Sequence, residues 1–497
     1  MSEKKQKSLK QKAAAGMVWT ALQKYSTMII QFISGIILAR LLTPYDYGCI
    51  GMLSIFMVLA ETIIDGGFGS ALIQKKEPTQ IDYSTIFFWN IGMSIVMYAV
   101  LFVSAPAIAR FYDIPLLSSV LRVQGLVVFI YSFNIIQQNQ LRKKLNFKLL
   151  SIVTITTSLV SLGVTIFMAY KGFGVWALVA QNLITAAIPA LVFWFYVKWR
   201  PIWAFSWASF KELFSFGFYM FLTNILNKFS QQLQGLLIGK FYNPVTMGYY
   251  SKAHSTEKIA SHSISQVMTQ VTYPLYSEAQ DDKKQLANII RRLTMTLSYL
   301  TFPMMFVLLL CAKPIFILLY SDRWLQSVPY FQVLCVAGMA GCLQSVNNQA
   351  IAAIGKSRAM FSWTIIKRTV SIVMMVGGLA LFGMKGLLVG LVVSSWFTYL
   401  VNISLVSKYI GYKTGKQLLD ILPTMAVAAI SALAAYGVGL LLHLSLYADG
   451  VLKALVCVSI YMAWSFIFKP ESFVYTKSIL VPMVHKFKHK AKNNPDK

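Results

Sequence analysis

Acidic side chains are scarce in this sequence: only 17 of 497 residues are Asp or Glu, and all charged residues together make up 12%. A soluble globular domain carries about 25% charged residues, so the charged fraction of this chain is too low for a typical soluble protein. Hydrophobic residues account for 57%, and the mean hydropathy is +0.61. These values indicate a protein that lies in a lipid bilayer.

Cysteine pairs and nucleotide-binding or metal-binding motifs are missing as well. The cysteines lie in apolar runs without CxxC or metal-ligand spacing, which predicts buried small apolar residues; they are Cys49, Cys311, Cys335, Cys342 and Cys457. The sequence has no GxxxxGK[ST] motif and no HExxH motif, and no loop is long enough to hold the acceptor of a sugar polymerase or ligase. We therefore predict that the protein is not an enzyme and has no cofactor and no metal site.

Long apolar runs are present throughout the chain. A helix needs about 20 mostly apolar residues to cross the hydrocarbon core of a bilayer, and fourteen stretches meet this condition. The predicted spans are Ala13–Leu42, Tyr45–Ile73, Tyr83–Ala109, Leu117–Gln138, Leu149–Tyr170, Val175–Tyr196, Leu213–Ile238, Thr246–Tyr276, Leu293–Tyr320, Val328–Ile354, Met360–Phe382, Leu387–Val406, Leu418–Leu442 and Val451–Phe468. The sequence thus predicts an all-α polytopic membrane protein.

Basic residues follow the topology that these spans define. Thirty Lys and Arg residues lie in the tails and loops of one side, and seven lie in the loops of the other side. By the positive-inside rule, the N- and C-termini are both cytoplasmic. The net charge of +28 is thereby explained by membrane orientation, and we predict no nucleic-acid partner.

An internal repeat divides the chain. The segment from Gln31 to Gly48 matches the segment from Gln231 to Gly248 at a constant offset of 200, without gaps, and each contains a proline that should start the next span after a tight turn. Six spans separate the two copies, so both halves enter the membrane in the same direction and should face each other across a substrate cleft. The predicted parts are a six-helix bundle at 1–197, a cytoplasmic interfacial linker at 198–212, a second six-helix bundle at 213–406, helices 13 and 14 at 407–479 and a basic cytoplasmic tail at 480–497.

Polar side chains inside the predicted spans are the candidate site. The substrate-cavity candidates are Lys24, Gln31, Glu61, Asp65, Lys228, Gln231, His254, Lys258, His262, Gln266, Lys367 and Arg368. Amines in a low-dielectric cavity attract a pyrophosphate or an acidic sugar, and amides suit sugar hydroxyls. The alternative interpretation is structural: Lys24 pairs with Glu61 or Asp65, and the amides bond between helices. The two histidines are also candidates for carrying a coupling proton.

Three stretches resemble the polysaccharide-transporter branch of the multidrug/oligosaccharidyl-lipid/polysaccharide (MOP) superfamily, close to the colanic-acid-type (Wzx-like) flippases. They are LARLLTPYDYGCIGM from Leu38 to Met52, GGFGSALIQKKEPT from Gly66 to Thr79 and QLRKKLNFKLLS from Gln140 to Ser151. This resemblance implies a V-shaped, MATE-like fold in the bacterial inner membrane. It also implies a monomer that moves undecaprenyl-pyrophosphate-linked oligosaccharide repeat units to the periplasmic leaflet, without a cofactor or catalysis.

Two departures from the superfamily make drugs and lipid II less favoured as the cargo. The first span has Lys24 and no carboxylate, whereas drug exporters often have an acidic cation site there; the basic residues are mostly lysines, whereas lipid II flippases place several arginines in the cavity. The expected partners are the lipid-linked oligosaccharide, membrane lipids and glycan-assembly proteins. The alternative function is a small-molecule exporter coupled to a cation, a proton or sodium, through Glu61, Asp65 and Glu257.

Overall fold

The computed structural model describes residues 3–279, 282–354, 357–442 and 444–478, which form sixteen α-helices, one 3-10 turn and no β-strand. The helices are α1 (Glu3–Leu41), α2 (Pro44–Asp65), α3 (Phe68–Gln74), α4 (Gln80–Tyr112), α5 (Leu116–Gln124), α6 (Leu126–Lys143), α7 (Phe147–Tyr170), α8 (Val175–Tyr196), α9 (Trp207–Phe241), α10 (Pro244–Glu278), α11 (Lys283–Leu310), α12 (Ala312–Tyr320), α13 (Ser327–Ala353), α14 (Ser357–Ile410), α15 (Thr414–Leu442) and α16 (Leu446–Phe468). The all-α prediction is confirmed.

Eleven segments of the described chain are long and apolar enough to cross a membrane. They are Ala15–Leu41, Pro44–Gln74, Gln80–Tyr112, Leu116–Lys143, Phe147–Tyr170, Val175–Tyr196, Lys283–Leu310, Ser327–Ala353, Phe361–Ile410, Thr414–Leu442 and Leu446–Phe468. The segment Phe361–Ile410 covers two predicted spans, because α14 turns back at Gly383, whose φ of 60° and ψ of −142° are not helical. Predicted spans 7 and 8 fall on α9 and α10, which are each 35 residues long, and α10 is the more polar of the two.

The two copies of the repeat start their second helix in the same way. α1 ends at Leu41 and α2 starts at Pro44; α9 ends at Phe241 and α10 starts at Pro244. The residue before each proline caps the new helix: the Thr43 hydroxyl accepts from the Asp46 N–H, and the Asn243 side chain accepts from the Thr246 N–H at 2.8 Å. The predicted proline turns are therefore confirmed, with a cap that satisfies a free backbone N–H.

Glycine allows the first turns of α2 and α10 to touch through their backbones. A Cβ atom built on Gly48 would lie 1.7 Å from the carbonyl oxygen of Pro244, and one built on Gly248 would lie 1.8 Å from that of Pro44. These four residues are related by the offset of 200. The contact is thus reciprocal: each copy of the repeat supplies the glycine that accommodates the proline of the other copy.

The chain forms two compact units, Met1–Ser251 and Lys252–Lys497. The first unit has an aromatic core where α3, α4, α6 and α9 meet, with Phe68, Phe87 and Phe210 buried in it. The non-helical link between α8 and α9 is attached to the start of α4, since the Ser84 hydroxyl accepts from the Ile202 N–H and the Thr85 hydroxyl accepts from the Ser206 N–H, each at 3.0 Å.

In the second unit, α11 packs against α13, α15 and α16. Ala432 and Ala435 of α15 and Cys457 of α16 form a small buried cluster there. All five cysteines are buried and free, as the sequence predicted. The boundary between the two units lies inside α10, and the division into bundles at 1–197 and 213–406 stays a prediction.

Candidate functional site

The first unit brings charged side chains from three helices into one cluster. Glu61 and Asp65 lie one turn apart on α2 and are both half-buried. The Glu61 carboxylate interacts electrostatically with the Lys228 ammonium of α9, and Asp65 interacts with Arg142 at the end of α6. Tyr131 of α6 is close enough to interact with Glu61, Asp65 and Arg142. This group, Glu61, Asp65, Tyr131, Arg142 and Lys228, is called the charged cluster below.

The end of α2 holds Asp65 in place. Gly66 ends the helix with a φ of 54°, and Gly67 follows with a φ of 79°, a left-handed conformation that favours glycine. The turn brings the backbone N–H groups of Gly67 and Gly69 close to the Asp65 carboxylate, which interacts with both. Asp65 therefore stabilises the bend between α2 and α3, while Glu61, one turn earlier, is free of this structural role.

A ladder of polar side chains on α6 leads to the charged cluster. The Arg142 Nη2 donates to Gln138 Oε1 at 3.4 Å, and the Gln138 Nε2 donates to Asn134 Oδ1 at 3.0 Å. Sequence reasoning missed this ladder because Arg142 was counted as a loop residue. The spacing of four between Asn134, Gln138 and Arg142 was the signal that could have found it.

The other candidates of the first unit lie on α1 and α9. Lys24 of α1 is half-buried, and Gln31 of α1 and Gln231 of α9 are exposed on the surface of the described chain. The neighbouring Gln232 connects α9 to α2, since its Oε1 accepts from the Ser54 hydroxyl at 3.0 Å. The amides of α9 thus fit both interpretations of the sequence. Gln232 forms a hydrogen bond between helices, and Gln231 is exposed, as an amide that binds sugar hydroxyls would be.

In the second unit, some of the polar side chains of α10 are buried and others are exposed. Lys252 is buried, with its ammonium 4.1 Å from the ring centre of Tyr320 and 5.7 Å from that of Trp324. Glu257 is also buried and lies so close to α13 that a Cβ on Gly338 would be 2.2 Å from its Oε1. His254 is half-buried and interacts with Lys258, which is exposed.

Lys367 is inside the hairpin that α14 forms. It is 7% exposed, and its Nζ donates to Asn402 Oδ1 at 2.8 Å, which ties the two arms of the hairpin together. Arg368 is half-buried beside it. The side chains of His262 and Gln266 lie outside the described residues. Within the described residues, no group of three or more His, Cys, Asp or Glu side chains could hold a metal ion.

Replacing Lys367 with alanine should destabilise the hairpin. Asn402 is 2% exposed and its Nδ2 already lacks a partner in the described chain, so losing the ammonium leaves the whole amide unpaired. We expect a loss of about 1–3 kcal/mol, seen as a lower melting temperature of the purified protein in detergent. Lys385→Ala, at an exposed position of the same element, is the control and should not change the melting temperature. Equal melting temperatures for both variants would contradict this structural role.

Solved structures show which class of protein has this fold. The chain is similar to a structure described as the lipid II flippase MurJ in an inward closed conformation, with a TM-score of 0.74 and 13% identity, covering 91% of this chain and 98% of that one. It is also similar to an inward-facing multidrug resistance MATE family transporter of the MOP superfamily, with a TM-score of 0.62 and 14% identity, covering 80% and 98%. The fold is thus that of a polytopic MOP-type transporter.

The sequence comparisons identify the family. A family model described as polysaccharide biosynthesis protein matches residues 37–329, more than half of the chain, and the chain belongs to this family. It is 25% identical to the teichuronic acid biosynthesis protein TuaB of Bacillus subtilis (strain 168), covering 76% of this chain and 77% of that protein. It is 23% identical to the lipopolysaccharide biosynthesis protein WzxC of Escherichia coli (strain K12), covering 88% and 89%.

These findings confirm two predictions from the sequence. The resemblance to polysaccharide flippases of the MOP superfamily is correct. The protein is a multi-pass membrane transporter and not an enzyme.

Proposed function

We propose that this protein flips undecaprenyl-pyrophosphate-linked oligosaccharide repeat units from the cytoplasmic to the periplasmic leaflet, for the synthesis of a surface polysaccharide. Membership of the polysaccharide biosynthesis family supports this proposal, as do the names of the relatives TuaB and WzxC. The observation that carries it is the charged cluster, because ionisable side chains within apolar spans are costly and mark the path of a substrate.

The cluster suggests how a pyrophosphate is accommodated. Glu61 of α2 lies near Lys228 of α9, and the two side chains interact electrostatically. A pyrophosphate carries more negative charge than a carboxylate and offers several acceptor oxygens, so it competes for the Lys228 ammonium. Glu61 then acts as an internal counter-ion, which stabilises the empty site and is displaced when cargo binds.

The proposed membrane architecture has fourteen spans. Eleven candidate segments, one of them a hairpin of two helices, together with α9 and α10, supply that number. Two six-span bundles related by the repeat would alternate between inward and outward access, and both termini would be cytoplasmic because basic residues concentrate on that side. This arrangement agrees with the positions of the repeat-related helix starts at Pro44 and Pro244.

Deletion and complementation test the function. Deleting the gene should abolish one surface polysaccharide, while its lipid-linked repeat unit accumulates inside the cell. An unchanged surface polysaccharide under conditions in which the gene is expressed would reject the proposal. If the same strain also became more sensitive to small cationic compounds, the cation-coupled exporter would be the better description.

Complementation with variants tests the charged cluster. Lys228→Gln keeps a polar side chain of similar length but removes the charge, and should lower polymer export at least tenfold if the ammonium binds pyrophosphate. Lys198→Gln removes one charge from an exposed position in the link after α8 and should complement fully. Full complementation by Lys228→Gln, at equal protein abundance, would exclude this site.

The variant Glu61→Gln tests whether Glu61 is needed to release the bound cargo from Lys228. Without its counter-ion, Lys228 should hold the anionic cargo more tightly, so we expect reduced turnover with more lipid-linked substrate copurifying with the protein. If Glu61→Gln lowers copurified substrate, the carboxylate contacts the cargo directly and the counter-ion role is wrong.

A further inference from the structure

A cavity of about 390 Å³ lies in the first unit, and none of its lining residues belongs to the charged cluster. It is formed where three links between spans meet: the link from α3 to α4, the link from α6 to α7 and the link from α8 to α9. Its lining residues are Pro78, Gln80, Tyr83, Gln140, Lys143, Lys144 and Trp199. The volume is in the range of small-ligand sites, which is about 300–1,000 Å³.

The lining is rich in hydrogen-bond donors. Lys143 donates two of its three N–H bonds to the carbonyl oxygens of Leu72 and Lys75, which leaves one. Lys144 is exposed, with all three N–H bonds available within the described chain. The indole N–H of Trp199 is buried and has no partner among the described residues. None of the seven lining residues is acidic. Positive charge combined with unpaired donors favours an anion with several acceptor oxygens.

Two other charged groups near the cavity, Asp82 and Arg200, already have hydrogen-bond partners. Asp82 is buried and its Oδ2 lies 3.0 Å from Lys75 Nζ, while the Thr79 N–H donates to the same oxygen at 2.8 Å. The guanidinium of Arg200 donates to the backbone carbonyls of Val197 and Trp199, each at 2.7 Å. Lys143 and Lys144 are the two charged residues that line the cavity itself.

The position along the helices indicates where the anion comes from. The cavity lies beside the last residues of α3, α6 and α8 and the first residues of α4, which are the ends of four candidate spans. Trp203, in the same link as Trp199, is 96% exposed and stacks on Phe88 with 5.3 Å between ring centres. Exposed tryptophan at a span end is typical of the depth at which lipid head groups lie.

We propose that this cavity, lined by Lys143, Lys144 and Trp199, binds the phosphate group of an anionic membrane phospholipid. Such a lipid connects the links after α3, α6 and α8, and so holds the segment between α8 and α9 against the rest of the first unit. This site is independent of the proposed flippase activity, because it shares no residue with the charged cluster.

Native mass spectrometry of the purified full-length protein tests the proposal. The protein in detergent is titrated with phosphatidylglycerol or with phosphatidylcholine of the same acyl chains, and in a separate arm with soluble glycerol 3-phosphate. The double variant Lys144→Gln with Trp199→Phe removes one charge and one indole N–H without removing the bonds of Lys143. We expect its affinity for phosphatidylglycerol to fall about tenfold, as for the loss of charge-assisted hydrogen bonds.

The matched control is Lys148→Gln with Trp203→Phe. It removes the same charge and the same type of donor from two exposed residues that do not line the cavity, and should change the affinity less than twofold. Equal weakening by both double variants, or binding of phosphatidylglycerol that neither variant affects, would overturn the proposed site. Binding of glycerol 3-phosphate as tight as that of phosphatidylglycerol would overturn the assignment to a lipid.

Discussion

Gly48→Ala and Gly248→Ala should each lower the stability of the protein by about 3 kcal/mol or more, because overpacking here cannot be relieved by a side-chain rotation. The added Cβ atoms would lie 1.7 and 1.8 Å from backbone carbonyl oxygens, so the first turns of α2 and α10 must separate. Thermal unfolding in detergent and abundance in the membrane measure the effect. The double variant should cost less than the sum of the single variants, because both glycines belong to one contact.

The control positions are Gly92 and Gly163, where an added Cβ would have nothing within 4 Å. Both lie inside helices, so alanine there should raise stability by about 0.5–1 kcal/mol through its better helix propensity. If Gly48→Ala behaves as Gly92→Ala does, the reciprocal contact does not exist in the protein.

Arg291→Ala should have the second largest effect. Arg291 of α11 forms a bidentate pair with Asp420 of α15, with Nε–Oδ2 and Nη2–Oδ1 distances of 2.8 and 3.0 Å, and its Nη2 also contacts Glu471 at 2.5 Å. The Tyr412 hydroxyl donates to the same Asp420 at 2.6 Å. Removing the guanidinium leaves a carboxylate that is 11% exposed without its cation, at a cost of about 2–3 kcal/mol for a partly buried pair.

Arg291→Lys distinguishes geometry from charge, since lysine keeps the charge but cannot bind both carboxylate oxygens, and its stability should lie between those of wild type and Arg291→Ala. The control is Arg292→Ala, which removes a guanidinium that lies 5.2 Å from the ring centre of Tyr475. We expect a loss of less than about 1 kcal/mol there. Melting temperatures of the four proteins in the same detergent decide the ranking, and equal values for Arg291→Ala and Arg292→Ala would contradict it.

The positions of the helices could be predicted closely from hydropathy. The predicted span Val175–Tyr196 has the same bounds as α8, and Leu149–Tyr170 ends where α7 ends. Such agreement has a simple cause: a span must be apolar over its whole length, so its ends are marked by the first polar residues. The predicted spans Leu213–Ile238 and Thr246–Tyr276 lie inside α9 and α10.

The partners of the charged residues could not be predicted. Lys24 was considered as a partner for Glu61, whereas Glu61 interacts with Lys228 across α2 and α9. Lys367 was predicted to line a cavity, and the structure places it in a buried hydrogen bond to Asn402. Periodicity tells which residues share one helix face, but not which other helix lies opposite that face.

The sequence alone determined that the protein is an all-α, multi-pass membrane protein of the polysaccharide flippase type, because hydropathy, basic loops and family motifs are properties of the chain itself. Only the tertiary structure decided that the repeat-related glycines and prolines touch reciprocally, that Glu61 lies near Lys228, and that Lys143, Lys144 and Trp199 line one cavity. These contacts join segments that are about 55 to 200 residues apart, and such distances are closed by helix packing, which no local pattern encodes.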